Sequence, residues 1–232
     1  MLITLLILAT TLALVLGAVW GLYGPFPAHV EGFMVALAGG ALIVSVVAEL
    51  LEPAARDAPL WIVLSGFAAG AGVFTLVDIW LDRHADGSSG KGLLAAVVLD
   101  GIPENLALGV VLVSSDAKGV LALAASIFLS NLPEAAGGAR EMTGKGHSRL
   151  KVLGLWSLTA MVLSASALAG YALLSPAQIT LIAVVQSFAA GAVVSSLATE
   201  VFPTAYREDH KATGFAVALG VALAFGLHQF GG

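Results

Sequence analysis

The chain has no cysteine. Disulfides and thiolate metal ligands are therefore excluded. It is also poor in charge: Asp, Glu, Lys and Arg make up 11% of the 232 residues, against 59% hydrophobic residues. A soluble domain carries about a quarter charged residues, so a soluble helical bundle is a poor fit. Strict alternation of polar and apolar residues is missing, which excludes a transmembrane β-barrel. Basic charge is scarce, with 10 Lys and Arg against 15 Asp and Glu. A net charge of −5 argues against nucleic acid as a partner. Met1 to Trp20 contains no Lys or Arg. It lacks the basic start of a cleaved leader and is expected to be the first spanning helix.

What is present is a series of long apolar runs separated by short polar patches. A helical run of about twenty apolar residues spans the roughly 30 Å of a hydrocarbon core. The expected fold is an all-α integral membrane protein, a single transmembrane domain over residues 1–232, with eight spanning helices. They are expected at about Leu2–Leu22, Gly32–Glu52, Leu60–Leu81, Gly92–Ser114, Gly119–Met142, Val152–Leu174, Gln178–Phe202 and Ala212–Phe230. Pro53 and Pro203 are expected to end the second and seventh, because proline cannot supply a helical N–H. The loops after helices 1, 3, 5 and 7 share one face. They hold Arg83, Lys91, Arg140, Lys145, Arg149, Lys151, Arg207 and Lys211, whereas the opposite loops hold only Arg56 and Lys118. This bias predicts a multi-pass protein of the cell membrane with both termini on the non-cytoplasmic side.

A weak internal repeat accompanies this pattern. Ala38-Gly39-Gly40-Ala41 precedes Glu49 and Pro53, and Ala189-Ala190-Gly191-Ala192 precedes Glu200 and Pro203, with the same Gly-to-Glu spacing. Gly32 to Leu37 in the second helix also resembles Gly214 to Leu219 in the eighth. If the second helix corresponds to the seventh, helices 1–3 and 6–8 form an inverted pair around helices 4 and 5. The result is a 3+2+3 arrangement, and inverted repeats of this kind are a mark of alternating-access transporters.

Two stretches interrupt the apolar runs at their centres: Asp100-Gly101-Ile102-Pro103-Glu104-Asn105 and Ser130-Asn131-Leu132-Pro133-Glu134. Burying each ionisable group in a membrane costs roughly 2.5–3.5 kcal/mol or more, so acidic groups repeated in such a setting point to a shared site. Asp100 and Glu104 project from one helix face about 6 Å apart along the axis, and Ser130 and Glu134 have the same spacing. Helices 4 and 5 are joined by a short turn and should be antiparallel neighbours. Pro103 and Pro133 release the carbonyls of Leu99 and Leu129. Three carboxylates, an amide, a hydroxyl and two carbonyls make a hard-oxygen cage suited to a divalent cation. A single Pro-Glu pair also occurs simply as a helix end or as a protonated Glu bonded to a neighbour.

These stretches resemble the ZIP (Zrt/Irt-like) divalent metal transporters. Their fourth helix carries His-Asn-x-Pro-Glu-Gly, and their fifth His-Glu-x-Pro-x-Glu or a related pattern. The resemblance implies eight helices with the termini outside, and metal-ligand positions at Asp100, Glu104, Ser130, Asn131 and Glu134. Asp100 and Ser130 stand where the family has histidine, and Gly101 stands where it has asparagine. The sixth helix supplies no carboxylate. One oxygen-only site is expected, which suits Mn²⁺ or Fe²⁺ at least as well as Zn²⁺. The family's histidine-rich loop is reduced to His84 and Asp86, read as solvated.

Glu49, Asp78, Asn105 and Glu200 are candidates for a cation path. Helix-end solvation is the competing reading for such groups. Gln186, Ser187, Ser195 and Ser196 either line that path or bond between helices. Gly66 and Gly70 form a small-residue face for a neighbouring helix or for a second subunit in a homodimer. His29, His147, His210 and His228 are read as surface residues. Trp20, Trp61, Trp80 and Trp156 are placed in interfacial belts. The expected function is uptake of a zinc-, iron- or manganese-class cation as substrate, with no cofactor and no enzymatic chemistry. A cation/proton antiporter of another fold is the alternative. An intramembrane hydrolase using Asp78 and Asp100 is disfavoured because no Gly-x-Gly-Asp or Gly-x-Ser-x-Gly signature is present.

Overall fold

The computed structural model describes residues 2–25, 27–84, 90–114, 117–174 and 179–231. Among these the chain is all-helical, without strands. The helices are α1 (Leu2–Tyr23), α2 (Ala28–Val46), α3 (Glu52–Asp57), α4 (Leu60–His84), α5 (Gly90–Ser114), α6 (Ala117–Gly144), α7 (Arg149–Leu174), α8 (Ile179–Ser196), α9 (Phe202–Glu208) and α10 (Thr213–Gly231). Asp86, and the expected turn residues Ser115, Asp116, Ser175 and Pro176, lie outside the described residues.

Two expected helix ends are corrected. The second helix continues past Pro53 to Asp57, and the seventh past Pro203 to Glu208. A π-helical turn makes this possible in each case, at Val47–Leu51 and at Leu197–Val201. The N–H of Glu52 bonds to the carbonyl of Val47, and that of Phe202 to the carbonyl of Leu197, each one residue before the proline. The wider turn takes up the register that proline disrupts. Glu49 and Glu200 both sit inside these turns.

Five helical stretches are long and apolar enough to cross a bilayer: Ala28–Asp57, Leu60–Leu81, Gly119–Gly144, Arg149–Ala172 and Ile179–Glu208. Ile7–Tyr23, Gly101–Val113 and Thr213–Gln229 are shorter apolar stretches. The outer surface is apolar as well. Leu8, Leu12 and Leu16 on α1, Trp61 and Leu64 on α4, and Leu158 and Met161 on α7 are all exposed. Apolar area on this scale is unfavourable against water and natural against lipid, so the chain fits a multi-pass membrane protein.

The packing is built from close pairs of helices. α1 lies along α6, α4 along α8, α5 along α7, and α10 along α2; α2 and α6 meet, as do α5 and α8. Glycines set the closest approaches. Gly40 lies against the Val217 carbonyl and Gly220 against that of Leu37, joining α2 to α10. Gly191 lies against the Phe67 carbonyl and Gly70 against that of Phe188, joining α4 to α8. Gly66 faces Ser187, so the Gly66/Gly70 face is occupied within the chain. The central core draws Leu42, Val46 and Leu50, Leu108 and Val111, Leu123 and Ile127, and Val193 and Leu197 from α2 and its π-turn, α5, α6, and α8 and its π-turn.

Polar bonds cross several of these contacts. Ser164 donates to Thr11 at 3.0 Å, and the Thr75 and Ser195 hydroxyls are 2.9 Å apart. Ser195 is therefore an interhelical bond, and Ser187 returns its proton to the Ala183 carbonyl. Trp156 departs from expectation. It is fully buried, packed with Leu14, Ala18 and Met142, because it faces α1 and α6 rather than the membrane surface. Trp61 and Trp80 are exposed, near the two ends of α4.

Candidate functional site

α5 and α6 run continuously through Pro103 and Pro133 and touch one another. Glu104, Ser130 and Asn131 are buried, and Glu134 is half-buried. The Asp100 backbone belongs to α5, and its side chain lies outside the described residues, as does that of Leu99. Ser130 donates its one proton to the Ile127 carbonyl at 3.0 Å, leaving its oxygen lone pairs available. Asn131 donates through Nδ2 to the Thr10 carbonyl at 3.1 Å, tying α6 to α1. Its Oδ1 remains the atom suited to a cation. Gly101 packs against Leu163 of α7. A side chain there would meet the Leu163 methyl groups, which would have to shift.

Glu134 lies within the field of both Glu104 and Glu200. These three carboxylates come from α5, α6 and the second π-turn. Among the described residues no group of three or more His, Cys, Asp or Glu is gathered closely enough to hold a metal ion. The carboxylates thus share one neighbourhood without forming a closed cage.

A cavity of about 490 Å³ runs beside them. Its walls include Ser130 and Glu134, then Glu200, Val201 and Thr204 opposite, and Glu141 and Arg207. Ser130 is buried, whereas Glu141 and Arg207 are exposed. The cavity therefore connects the interior to one end of the bundle.

The candidate path residues are sorted by this geometry. Glu200 lines the cavity. Glu49, in the other π-turn, is buried against Gly119 of α6, with Oε1 3.3 Å from Nδ1 of His228 on α10. His228 is therefore a partner of a buried acid, not simply a surface residue. Asp78 is half-buried on α4 and does not line the cavity. Asn105 is fully buried; its Nδ2 donates to the Gly101 carbonyl at 2.9 Å, and its Oδ1 has no hydrogen-bond partner. Gln186, Ser187, Ser195 and Ser196 do not line the cavity.

Sequence reasoning missed Glu31. It precedes the expected start of the second helix at Gly32, but α2 begins at Ala28 and Glu31 falls in its first turn. It is buried, lines the cavity, and its Oε2 accepts a bond from Arg140 Nη2 at 2.6 Å. The available signal was an acid at a helix start facing the Gly137-Gly138 pair of α6, but no local pattern joins those positions.

No protein-family model matches the chain, and no curated protein is significantly similar to it.

Proposed function

We propose that the chain is a membrane transporter for a divalent metal cation of the zinc, iron or manganese class, of the ZIP type. The observation that carries this reading is the cavity reaching Ser130, Glu134 and Glu200, where Glu134 lies in the field of both Glu104 and Glu200. Three acids held in apolar helices are expensive without a cation to neutralise them. Their ligand atoms are hard oxygens, which match a hydrated divalent ion. Asp100, Glu104, Ser130, Asn131 and Glu134 are assigned to the metal site.

The 3+2+3 arrangement belongs to the same reading. Exchanging helices 1–3 with 6–8, and 4 with 5, maps the α4–α8 contact onto α10–α2 and the α1–α6 contact onto α7–α5. It also maps one π-turn onto the other and Glu49 onto Glu200. A pseudo-symmetric bundle with one acid in a cavity and its counterpart buried is what one state of an alternating-access cycle requires. By loop charge, the Arg140 and Arg207 end is cytoplasmic and both termini lie outside. The cavity is then the cytoplasmic vestibule, and transport is uptake.

The test is metal uptake by vesicles containing the full chain, with Zn²⁺, Fe²⁺ and Mn²⁺ supplied separately. Glu104→Ala with Glu134→Ala is expected to abolish uptake and metal-dependent thermal stabilisation. Uptake at the wild-type rate in that double variant overturns the reading.

A further inference from the structure

Along one face of α6 the cavity meets Ser130, Glu134, Gly137, Arg140 and Glu141 in turn. At 1.5 Å per residue this face extends about 16 Å. Glu31 reaches it from α2. Its carboxylate lies directly over Gly137, where any Cβ would collide with it, and it is held by Arg140. The other charged groups on the cavity wall are Glu134, Glu141, Glu200, Glu208 and Arg207. Glu31 is thus a buried acid on the route between Glu134 and the exposed end, and a guanidinium already occupies it.

We infer that Arg140 is a resident counter-cation that keeps Glu31 from capturing the departing metal ion. The inference rests on the transporter reading given above. A buried carboxylate beside an aqueous path attracts divalent cations through its hard oxygens, and binding there slows release. Arg140 is tethered to α6 and cannot diffuse away, so it competes at very high effective concentration for the same oxygens. Its permanently charged head suits it to this role. Glu31 then contributes to the shape and field of the vestibule without holding cargo. Arg140 determines the release rate rather than the chemistry of the metal site.

The test is initial-rate Mn²⁺ and Zn²⁺ uptake in vesicles, together with metal-dependent thermal stabilisation of the purified full chain. Arg140→Gln exposes Glu31, and about a tenfold fall in both apparent KM and maximal rate is expected, with metal stabilisation appearing at lower concentration. Glu31→Gln alone should stay within about twofold of wild type, and Glu31→Gln with Arg140→Gln should recover the maximal rate to a similar margin. A mere strut between α2 and α6 predicts otherwise: Glu31→Gln would be as damaging as Arg140→Gln, and the double variant no better. That result overturns the inference.

If Arg140→Gln does not yield folded protein, the double variant decides the matter, with Arg140→Lys as the charge-retaining control expected to behave as wild type. A slow double variant overturns the inference. If wild type transports and Arg140→Gln matches it in KM and maximal rate, this inference alone falls. If wild type shows neither uptake nor metal-dependent stabilisation, the transporter reading falls and takes the inference with it.

Discussion

The hydroxyls of Ser45 and Ser126 lie 3.0 Å apart in the buried contact between α2 and α6. Ser126 donates its proton to the Ala122 carbonyl at 3.0 Å, so Ser45 is the donor between helices. Ser126→Ala therefore leaves a buried donor facing a methyl group, whereas Ser45→Ala removes the donor and leaves an oxygen already bonded elsewhere. Ser126→Ala should destabilise the bundle by about 0.5–1.5 kcal/mol, and Ser45→Ala by less. Thermal unfolding of both variants in detergent checks the order; equal losses would mean that Ser45 turns back to its own helix.

Glycines at helix crossings should not tolerate a methyl group. Gly191 faces the Phe67 carbonyl and Gly40 the Val217 carbonyl, with backbone rather than movable side chains in the way. Either glycine changed to alanine must push a pair of helices apart, with a loss of about 1–3 kcal/mol or more. Gly72 on α4 has nothing within 4 Å of the added atom. Gly72→Ala should be neutral or raise stability by up to about 1 kcal/mol, since alanine favours helix over glycine. Melting temperatures of the three variants separate a packing effect from a propensity effect.

Trp156 separates packing from polarity in the core. Its ring is fully buried and its Nε1 has no hydrogen-bond partner. Trp156→Ala should cost about 3–5 kcal/mol through lost contacts and a cavity. Trp156→Phe also loses volume but removes the unsatisfied N–H, and its net cost should be nearer 1 kcal/mol, as an order of magnitude. Chemical or thermal unfolding of both variants provides the comparison.

The absence of cysteine makes the cavity directly accessible to experiment. Thr204 lines it, whereas Ser45 is packed in the α2–α6 contact. A membrane-impermeant maleimide should label Thr204→Cys and leave Ser45→Cys unmodified in sealed vesicles. Labelling of the former should come only from the cytoplasmic side of the membrane, where loop charge puts the Arg140 and Arg207 end. Labelling from the non-cytoplasmic side instead would reverse the proposed orientation.

Much of the architecture is legible without coordinates because it is local. Apolar run length gives the helices, glycine and proline mark close approaches and breaks, and acids inside apolar runs are conspicuous by their cost. The proline rule failed at Pro53 and Pro203 for a specific reason: a π-turn before each absorbs the lost register, and a backbone register shift has no composition signature.

The sequence by itself determined that Glu104 and Glu134 are acids set within apolar runs on successive helices, and that Glu49 and Glu200 each lie nine residues after a glycine and shortly before a proline. Only the tertiary structure decided that Glu200 faces the cavity while Glu49 is packed against Gly119 and His228. It also brought Glu31 under Arg140, across α2 and α6. The physical reason is that the surroundings of a charge are set by residues on other helices. Which acids face water and which meet a counter-charge follows from how the helices pack, and no stretch of one helix contains that information.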